Sequence, residues 1–280
     1  MWVSLIASSA SAVVGGSPGG EPAAVAIGEV VGEGISLTCT GVAIHPRWVL
    51  TAAHCIDLLS DAEEPAVFVG DDRGQMLGTG AVQWITAFVP VEYDGTAAYD
   101  VAVVEVGADL PTWMVVGETP LPAVDDPIGF TGFGATAEDG SGGGTRRTAE
   151  LGILAVDAFT LQAYDGGANL CHGDSGAPGI VDGELVAIGT EIVSSCLGGQ
   201  TIGTLLAPHA DWIATYVPDP PDPPDGDADD SSGGCGCATA TPPPQVAVLL
   251  LLALVRRQRT TSTSFTGSAR SCAPSTARSP

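Results

Sequence analysis

Short apolar runs between turn-forming residues recur along most of the chain, and this spacing constrains the fold more than any other feature. Each run is rich in Val, Ile, Leu and Ala and is bounded by Gly, Pro or Asp. The runs are residues 24–31, 34–44, 66–69, 81–89, 101–106, 128–133, 151–156, 185–193 and 202–206. Short strands at regular spacing indicate an all-β sandwich or barrel. Only residues 208–217 have apolar positions at helical spacing, after a Pro start, so one C-terminal helix is predicted.

Composition excludes several classes of protein. Hydrophobic residues make up 45% of the 280 residues and charged residues 15%, so most of the chain is expected to fold. The net charge of −24 comes from 33 acidic residues against 9 basic ones, all of them Arg. Nucleic acids and anionic lipids would be repelled by such a chain, so we expect no nucleic-acid partner.

The chain divides into compositional zones. Residues 1–12 are uncharged and end in small residues, which predicts a truncated signal peptide, with a plain small-residue N-terminus as the alternative. Residues 13–217 form the acidic globular body, and residues 218–234 form a Pro/Asp-rich linker that is expected to stay extended. Residues 235–259 combine a Cys motif, an apolar run and an Arg cluster, and residues 260–280 form a Ser/Thr-rich tail that is expected to be disordered.

Three residues of the body could together perform acyl transfer. His54 follows an apolar run, Asp100 opens another, and Ser175 lies between glycines in a tight turn that can expose its hydroxyl together with backbone N–H groups. A serine nucleophile needs a base to take its proton and an acid to orient that base. Each residue alone has an ordinary structural explanation, so the hypothesis depends on all three.

Several motifs occur in the order that trypsin-like (chymotrypsin-fold) serine endopeptidases have, and residues 13–217 resemble that family. The motifs are Val13-Val14-Gly15-Gly16, Thr51-Ala52-Ala53-His54-Cys55, Thr131-Gly132-Phe133-Gly134, Gly173-Asp174-Ser175-Gly176 and Asp211-Trp212-Ile213. The resemblance implies two six-stranded antiparallel Greek-key β-barrels with a short C-terminal helix. It also implies that Ser175 is the nucleophile, His54 the general base and Asp100 the residue that orients His54.

The resemblance assigns roles to the backbone and to the residue beside the nucleophile. The N–H groups of Gly173 and Ser175 would form the oxyanion hole. Asp174 would be buried and would pair with the α-ammonium group of a newly cut N-terminus at Val13. Because Ala12 precedes Val13, signal removal itself would create that terminus, without a separate zymogen step.

The resemblance also implies two disulfides and a specificity pocket. The disulfides would join Cys39 to Cys55 and Cys171 to Cys196, in keeping with an oxidising compartment. The pocket residues would be Asn169, Thr190, Ile192 and Thr201. Asn169 stands where a basic-residue preference needs an aspartate, and Ile192 and Thr201 would narrow the walls. We therefore expect small or medium apolar residues on the acyl side of the cut, unless Ile192 packs elsewhere and leaves the pocket deeper.

The remaining expectations concern partners and location. We expect protein or peptide substrates, a monomer, and no metal or organic cofactor. Residues 235–259 resemble the C-terminal surface-sorting signals of myxobacterial proteins, and a short tethering helix is the alternative. Both place the enzyme outside the cell, secreted or attached to the surface. The alternatives in function are a catalytically inactive surface binding module of the same fold and an esterase that shares the mechanism.

Overall fold

The structure, a computed structural model, describes residues 13–116 and 121–219. The predictions for the signal peptide, for the sorting signal and for the disordered tail lie outside these residues, as does the linker beyond Asp219.

The first half of the described chain forms a closed six-stranded antiparallel barrel. Its strands are β2 (Ala24–Val31), β3 (Gly34–His45), β4 (Trp48–Thr51), β5 (Pro65–Phe68), β6 (Ala81–Phe88) and β7 (Ala102–Val106). They pair in the order β2-β3-β4-β7-β6-β5, and pairing of β2 with β5 closes the ring. Ile27, Val42, Leu50 and Val103 are fully buried in its core. Burial of each such side chain stabilises the fold by about 1.5–3 kcal/mol.

The second half forms another closed barrel. Its strands are β8 (Pro127–Gly132), β9 (Arg147–Val156), β10 (Thr160–Tyr164), β11 (Pro178–Val181), β12 (Glu184–Val193) and β13 (Gln200–Leu205). The order is β9-β10-β13-β12-β11-β8, closed by pairing of β8 with β9, and the short β1 (Ser17–Pro18) adds to the outer side of β9. Phe130, Leu151 and Leu161 lie in its core. The predicted pair of six-stranded barrels is therefore confirmed.

The predicted C-terminal helix is present as α3 (Ala210–Tyr216), preceded by a 3₁₀ turn at Ala207–His209. The expectation of a single helix was wrong, because α1 (Ala53–Leu58) and α2 (Arg73–Thr79) also form. Both are two turns or less, too short to show a helical period in the sequence. The signal for α2 was its N-cap, Asp72, whose carboxylate accepts from the N–H groups of Gly74 and Gln75.

Three short strands were not predicted: β1, β10 and β11. Each spans between two and five residues, so polar and turn residues beside it dilute the apolar pattern. Among the described residues no helix is both long and apolar enough to cross a bilayer.

Candidate active site

His54 and Asp100 are joined by two hydrogen bonds. His54 is the second residue of α1, directly after β4, and Asp100 ends a 3₁₀ turn (Ala97–Tyr99) just before β7. The ring Nδ1 of His54 lies 2.6 Å from Oδ2 of Asp100, and the backbone N–H of His54 donates to Oδ1 at 2.9 Å. A carboxylate can only accept, so Nδ1 carries the proton and Nε2 is left as the acceptor. One carboxylate thus fixes both the main chain and the ring of His54.

A disulfide between Cys39 and Cys55 ties α1 to β3 beside this pair. Cys39, His54 and Cys55 are close enough to suggest a metal site. Both sulfurs are consumed by the disulfide, so they cannot act as thiolate ligands, and this group does not fit a metal.

The turn that carries Ser175 lies between β10 and β11 and is held by the first barrel. The N–H of Thr40 donates to the carbonyl of Ser175 at 2.9 Å, and the Thr40 hydroxyl donates to the carbonyl of Gly173 at 2.8 Å. The same carbonyl of Ser175 lies 3.7 Å from the sulfur of Cys55, the neighbour of His54. The turn is therefore fixed next to α1.

Gly176 is required by the close approach of this turn to β3 and β4. Its φ is +86°, and a Cβ there would lie 2.1 Å from the carbonyl oxygen of Thr40 and 2.3 Å from the hydroxyl of Thr51. Any side chain would push Ser175 away from the first barrel.

The backbone at the turn leaves donors unused. Within the described residues, the N–H groups of Gly173 and Ser175 donate to no protein group. Gly173 has a φ of +95°, a conformation that turns its carbonyl toward Thr40. Within the described residues the ring of His54 is hydrogen-bonded to Asp100 alone, so the ring and the Ser175 hydroxyl are not hydrogen-bonded to each other. Such contacts commonly tighten only when substrate binds.

Asp174 is a fully buried carboxylate surrounded by backbone donors. It accepts from the N–H groups of Gly134 at 2.7 Å and Cys171 at 2.9 Å, and also from the N–H of Val13. Burial raises its pKa to about 7, and these three hydrogen bonds offset part of that rise. Among the residues that the structure describes, no cation forms an ion pair with this buried carboxylate.

Val13 is fully buried beside Asp174 in a conformation that a β-branched residue rarely adopts. Its φ is +45°, its carbonyl accepts from Gly16 at 2.7 Å, and the carbonyl of Val14 accepts from the N–H of Asn169 at 2.9 Å. A β-branched residue at positive φ is strained. The segment after residue 12 is thus inserted into the second barrel while the chain is still continuous.

The predicted pocket residues fall into two groups. Asn169 and Thr201 are fully buried and bonded to each other: the Thr201 hydroxyl donates to Oδ1 of Asn169 at 2.5 Å, and Nδ2 of Asn169 donates to the carbonyl of Ser195 at 3.1 Å. Thr190 and Ile192 both lie on β12, and Ile192 pairs with Thr201 across the sheet. The side chain of Ile192 packs against a cluster that contains the second disulfide, Cys171–Cys196.

The sequence analysis did not identify several residues that support the turns carrying Ser175 and Asp100. Thr40 holds the Ser175 turn, and the hydroxyl of Thr51 donates to the carbonyl of Thr40 at 2.8 Å. The hydroxyl of Thr204 donates to the carbonyl of Ala97 at 2.5 Å, and His209 Nε2 lies 2.9 Å from the carbonyl of Ala98, so both brace the turn that presents Asp100. Burial lowers the pKa of His209, which favours the neutral ring with a proton on Nε2. Buried hydroxyls in otherwise apolar strands are the signal that could have revealed the threonines.

Comparison with known proteins places this geometry in a family. The family described as Trypsin matches residues 13–213. Serine protease SP24D of Anopheles gambiae is 28% identical over an alignment of 204 residues that covers 65% of this chain and 73% of that protein. Chymotrypsin-like elastase family member 1 of Macaca fascicularis is 27% identical over 236 residues, covering 72% of this chain and 88% of that protein.

A solved structure agrees at the level of the fold. Neuropsin, a serine protease expressed in the limbic system of mouse brain, superimposes with a TM-score of 0.60 at 22% identity, covering 72% of this chain and 98% of that chain. The family match spans both barrels, from the buried Val13 to the C-terminal helix. The chain belongs to the trypsin family of serine proteases.

Proposed function

We propose that this protein is a serine endopeptidase that cleaves peptide bonds through an acyl-enzyme on Ser175. The observation that carries the proposal is the double hydrogen bond from His54 to Asp100, next to a serine turn with two unused N–H groups. His54 Nε2 takes the proton of the Ser175 hydroxyl as its oxygen attacks the substrate carbonyl. The charge that develops on that carbonyl oxygen is stabilised by the N–H groups of Gly173 and Ser175, each worth about 3–4 kcal/mol.

The second half of the reaction reuses the same groups. The protonated His54 gives its proton to the leaving amine, and the C–N bond breaks to leave an ester on Ser175. Water then loses a proton to His54 and attacks the ester carbonyl. The bond between that carbon and the Ser175 oxygen breaks, and His54 returns its proton to this oxygen, which releases the acid and restores the hydroxyl. Asp100 holds the ring in the required tautomer throughout and stabilises its charged form.

Activation follows from the surroundings of Asp174. A free α-ammonium group at Val13 would replace a neutral N–H donor with a cation at a fully buried carboxylate. Cutting the Ala12–Val13 bond also removes the torsion that is strained at Val13, because an N-terminal residue has no φ. We therefore propose that removal of residues 1–12 completes the active site, with no separate zymogen step.

Substrate preference is proposed from the pocket residues. Asn169 offers no negative charge to a basic side chain, and its amide is already bonded to Thr201 and Ser195. Small or medium apolar residues on the acyl side are therefore favoured. The small-residue segment 1–12 and the sorting-signal-like residues 235–259 support the further proposal of export and attachment at the cell surface.

Cleavage of matched peptides tests the proposal. Internally quenched peptides that differ only in the acyl-side residue (Ala, Val, Phe or Arg) are offered to the chain that begins at Val13. We expect the Ala and Val peptides to be cleaved fastest and the Arg peptide slowest, with no cleavage by Ser175→Ala. A folded chain that cleaves none of them would instead favour a binding module. Fastest cleavage of the Arg peptide would refute the proposed preference.

A further inference from the structure

A cavity of about 250 Å³ opens beside the serine turn, on the side away from the strand that carries Thr190 and Ile192. Its lining includes Gly173 of the turn, Leu37 and Cys39 of β3, and no residue of β12 or β13. The acyl part of a substrate would pair along β12, as an added antiparallel strand. The cavity therefore lies where the leaving-group part of the substrate would pass.

The electrostatic character of this cavity is opposite to that of the rest of the protein. The chain carries 33 acidic residues, yet no Asp or Glu lines the cavity, whereas Arg73 and His172 do. Among the described residues Arg73 makes no ion pair, and its guanidinium group contacts only the carbonyl of Ile35. A guanidinium group has five N–H donors, so most of them remain available.

The carboxylates nearest to Arg73 in sequence are already engaged. Asp72 accepts from the N–H groups that begin α2, and Asp71 forms an ion pair with Arg146. Neither side chain lines the cavity. Among the described residues, neither carboxylate forms an ion pair with Arg73.

Main-chain contacts hold the start of α2, and with it Arg73, against the loop of residues 140–144. This loop also lines the cavity. The start of α2 is tied to the end of this loop by a β-bridge between Asp72 and Thr145. In addition, the backbone N–H of Arg146 donates to the backbone carbonyl of Asp71 at 2.7 Å. The side chain of Arg73 passes over Gly144, where a Cβ would be 3.7 Å from its methylene carbons.

The glycine loop adds donors of its own. Gly142 and Gly143 line the cavity, and within the described residues their N–H groups donate to no protein group. A carboxylate accepts well from a guanidinium group and backbone N–H groups together. The cavity thus has donors suited to an acidic side chain and no carboxylate among its lining residues.

We propose that Arg73 selects an acidic side chain at the first or second residue after the scissile bond. This inference rests on the proposed peptidase function, and it names a substrate class for that site. Together with the acid-free lining, Arg73 makes the leaving-group side of the cleft favour a negatively charged substrate residue.

The test uses the chain with a free Val13 and its tail retained. Internally quenched peptides carry Asp or the isosteric Asn at the first or the second leaving-side position, and the ratio of kcat/KM for Asp over Asn is measured. We expect a ratio of about five at 50 mM salt at one of the two positions, falling toward one at 0.5 M salt. Arg73→Gln is expected to bring the ratio to about one.

Arg47→Gln is the matched control, because it removes the same charge at a distant turn, where the Arg47 side chain donates to the carbonyl of Val106 at 3.0 Å. Its ratio should equal that of the unmodified enzyme. An Asp/Asn ratio of one at both positions in the unmodified enzyme, or an equal fall in both variants, would overturn the inference while leaving the peptidase intact. Failure to cleave any of the peptides would overturn the proposed function and this inference with it. The salt dependence is measured on the unmodified enzyme, so it tests the preference for an acidic residue even if Arg73→Gln does not fold.

Discussion

We expect the buried carboxylate of Asp174 to make stability depend on pH differently before and after the N-terminus is cut. In the intact chain burial raises the pKa of Asp174 to about 7, against an ordinary value of 3.8. A carboxyl with a raised pKa in the folded state binds its proton more tightly when folded. Its contribution to stability is therefore fully present below pH 3.8 and is lost as the pH rises through 7.

The size of this effect follows from the shift in pKa. At 1.36 kcal/mol per pKa unit, the shift corresponds to about 4 kcal/mol, of which about 2.5 kcal/mol is lost between pH 5 and pH 8. In the chain that begins at Val13, we expect the α-ammonium group to keep Asp174 ionised across this range. The loss due to Asp174 should then be absent until the ammonium group itself titrates at higher pH.

Urea unfolding at pH 5, 6, 7 and 8 measures the difference. Both forms, the intact chain and the chain from Val13, carry Ser175→Ala so that neither can cleave itself. Other groups, including the buried His209, are shared by the two forms and cancel in the comparison. We expect the free energy of unfolding of the intact chain to fall by about 2 kcal/mol more than that of the trimmed chain between pH 5 and pH 8. Parallel curves for the two forms would refute the ion pair.

Three further predictions test the positioning of the site. Gly134→Ala would place a Cβ 2.5 Å from the carboxyl carbon of Asp174, so we expect the free energy of unfolding in urea to fall by about 2 kcal/mol and activity to be lost. Gly129→Ala is the control, because its Cβ would have no neighbour nearer than 3.9 Å, and it should retain both stability and activity. Asp100→Asn should lower kcat by about 10⁴-fold in peptide assays with little change in the circular dichroism spectrum, and near-normal turnover would contradict the role of Asp100. Thr204→Val removes the 2.5 Å hydrogen bond to the carbonyl of Ala97, which supports the turn before Asp100, so kcat should fall several-fold while KM stays constant. A change in KM alone would show that this hydrogen bond does not position Asp100.

Much of the fold could be predicted because the barrel strands are long enough to show their pattern. The run at residues 24–31 coincides with β2, and the run at 81–89 differs from β6 by one residue. Shorter elements were missed because their formation depends on tertiary contacts. α1 has no side-chain N-cap and is held by the Cys39–Cys55 disulfide, which only the folded chain brings together.

For the active site, the sequence indicated the candidate catalytic residues but not the contacts that hold them in position. The chain order of His54, Asp100 and Ser175 predicts a triad, and the structure brings the first two into contact. The support from Thr40 to the serine turn joins residues more than 130 positions apart, so no local pattern could reveal it. The same holds for Arg73, whose significance arises only where α2 meets the glycine loop.

Labelling with a fluorophosphonate probe tests the central claim most directly, because the probe reacts only with an activated serine. The chain from Val13, the intact chain, and Ser175→Ala and His54→Ala variants of the trimmed chain are treated side by side, and the modified residue is located by mass spectrometry. The account predicts rapid labelling at Ser175 in the trimmed chain, and little or none in the other three. A folded, trimmed chain that does not label, or that labels as fast when His54 is Ala, would contradict it.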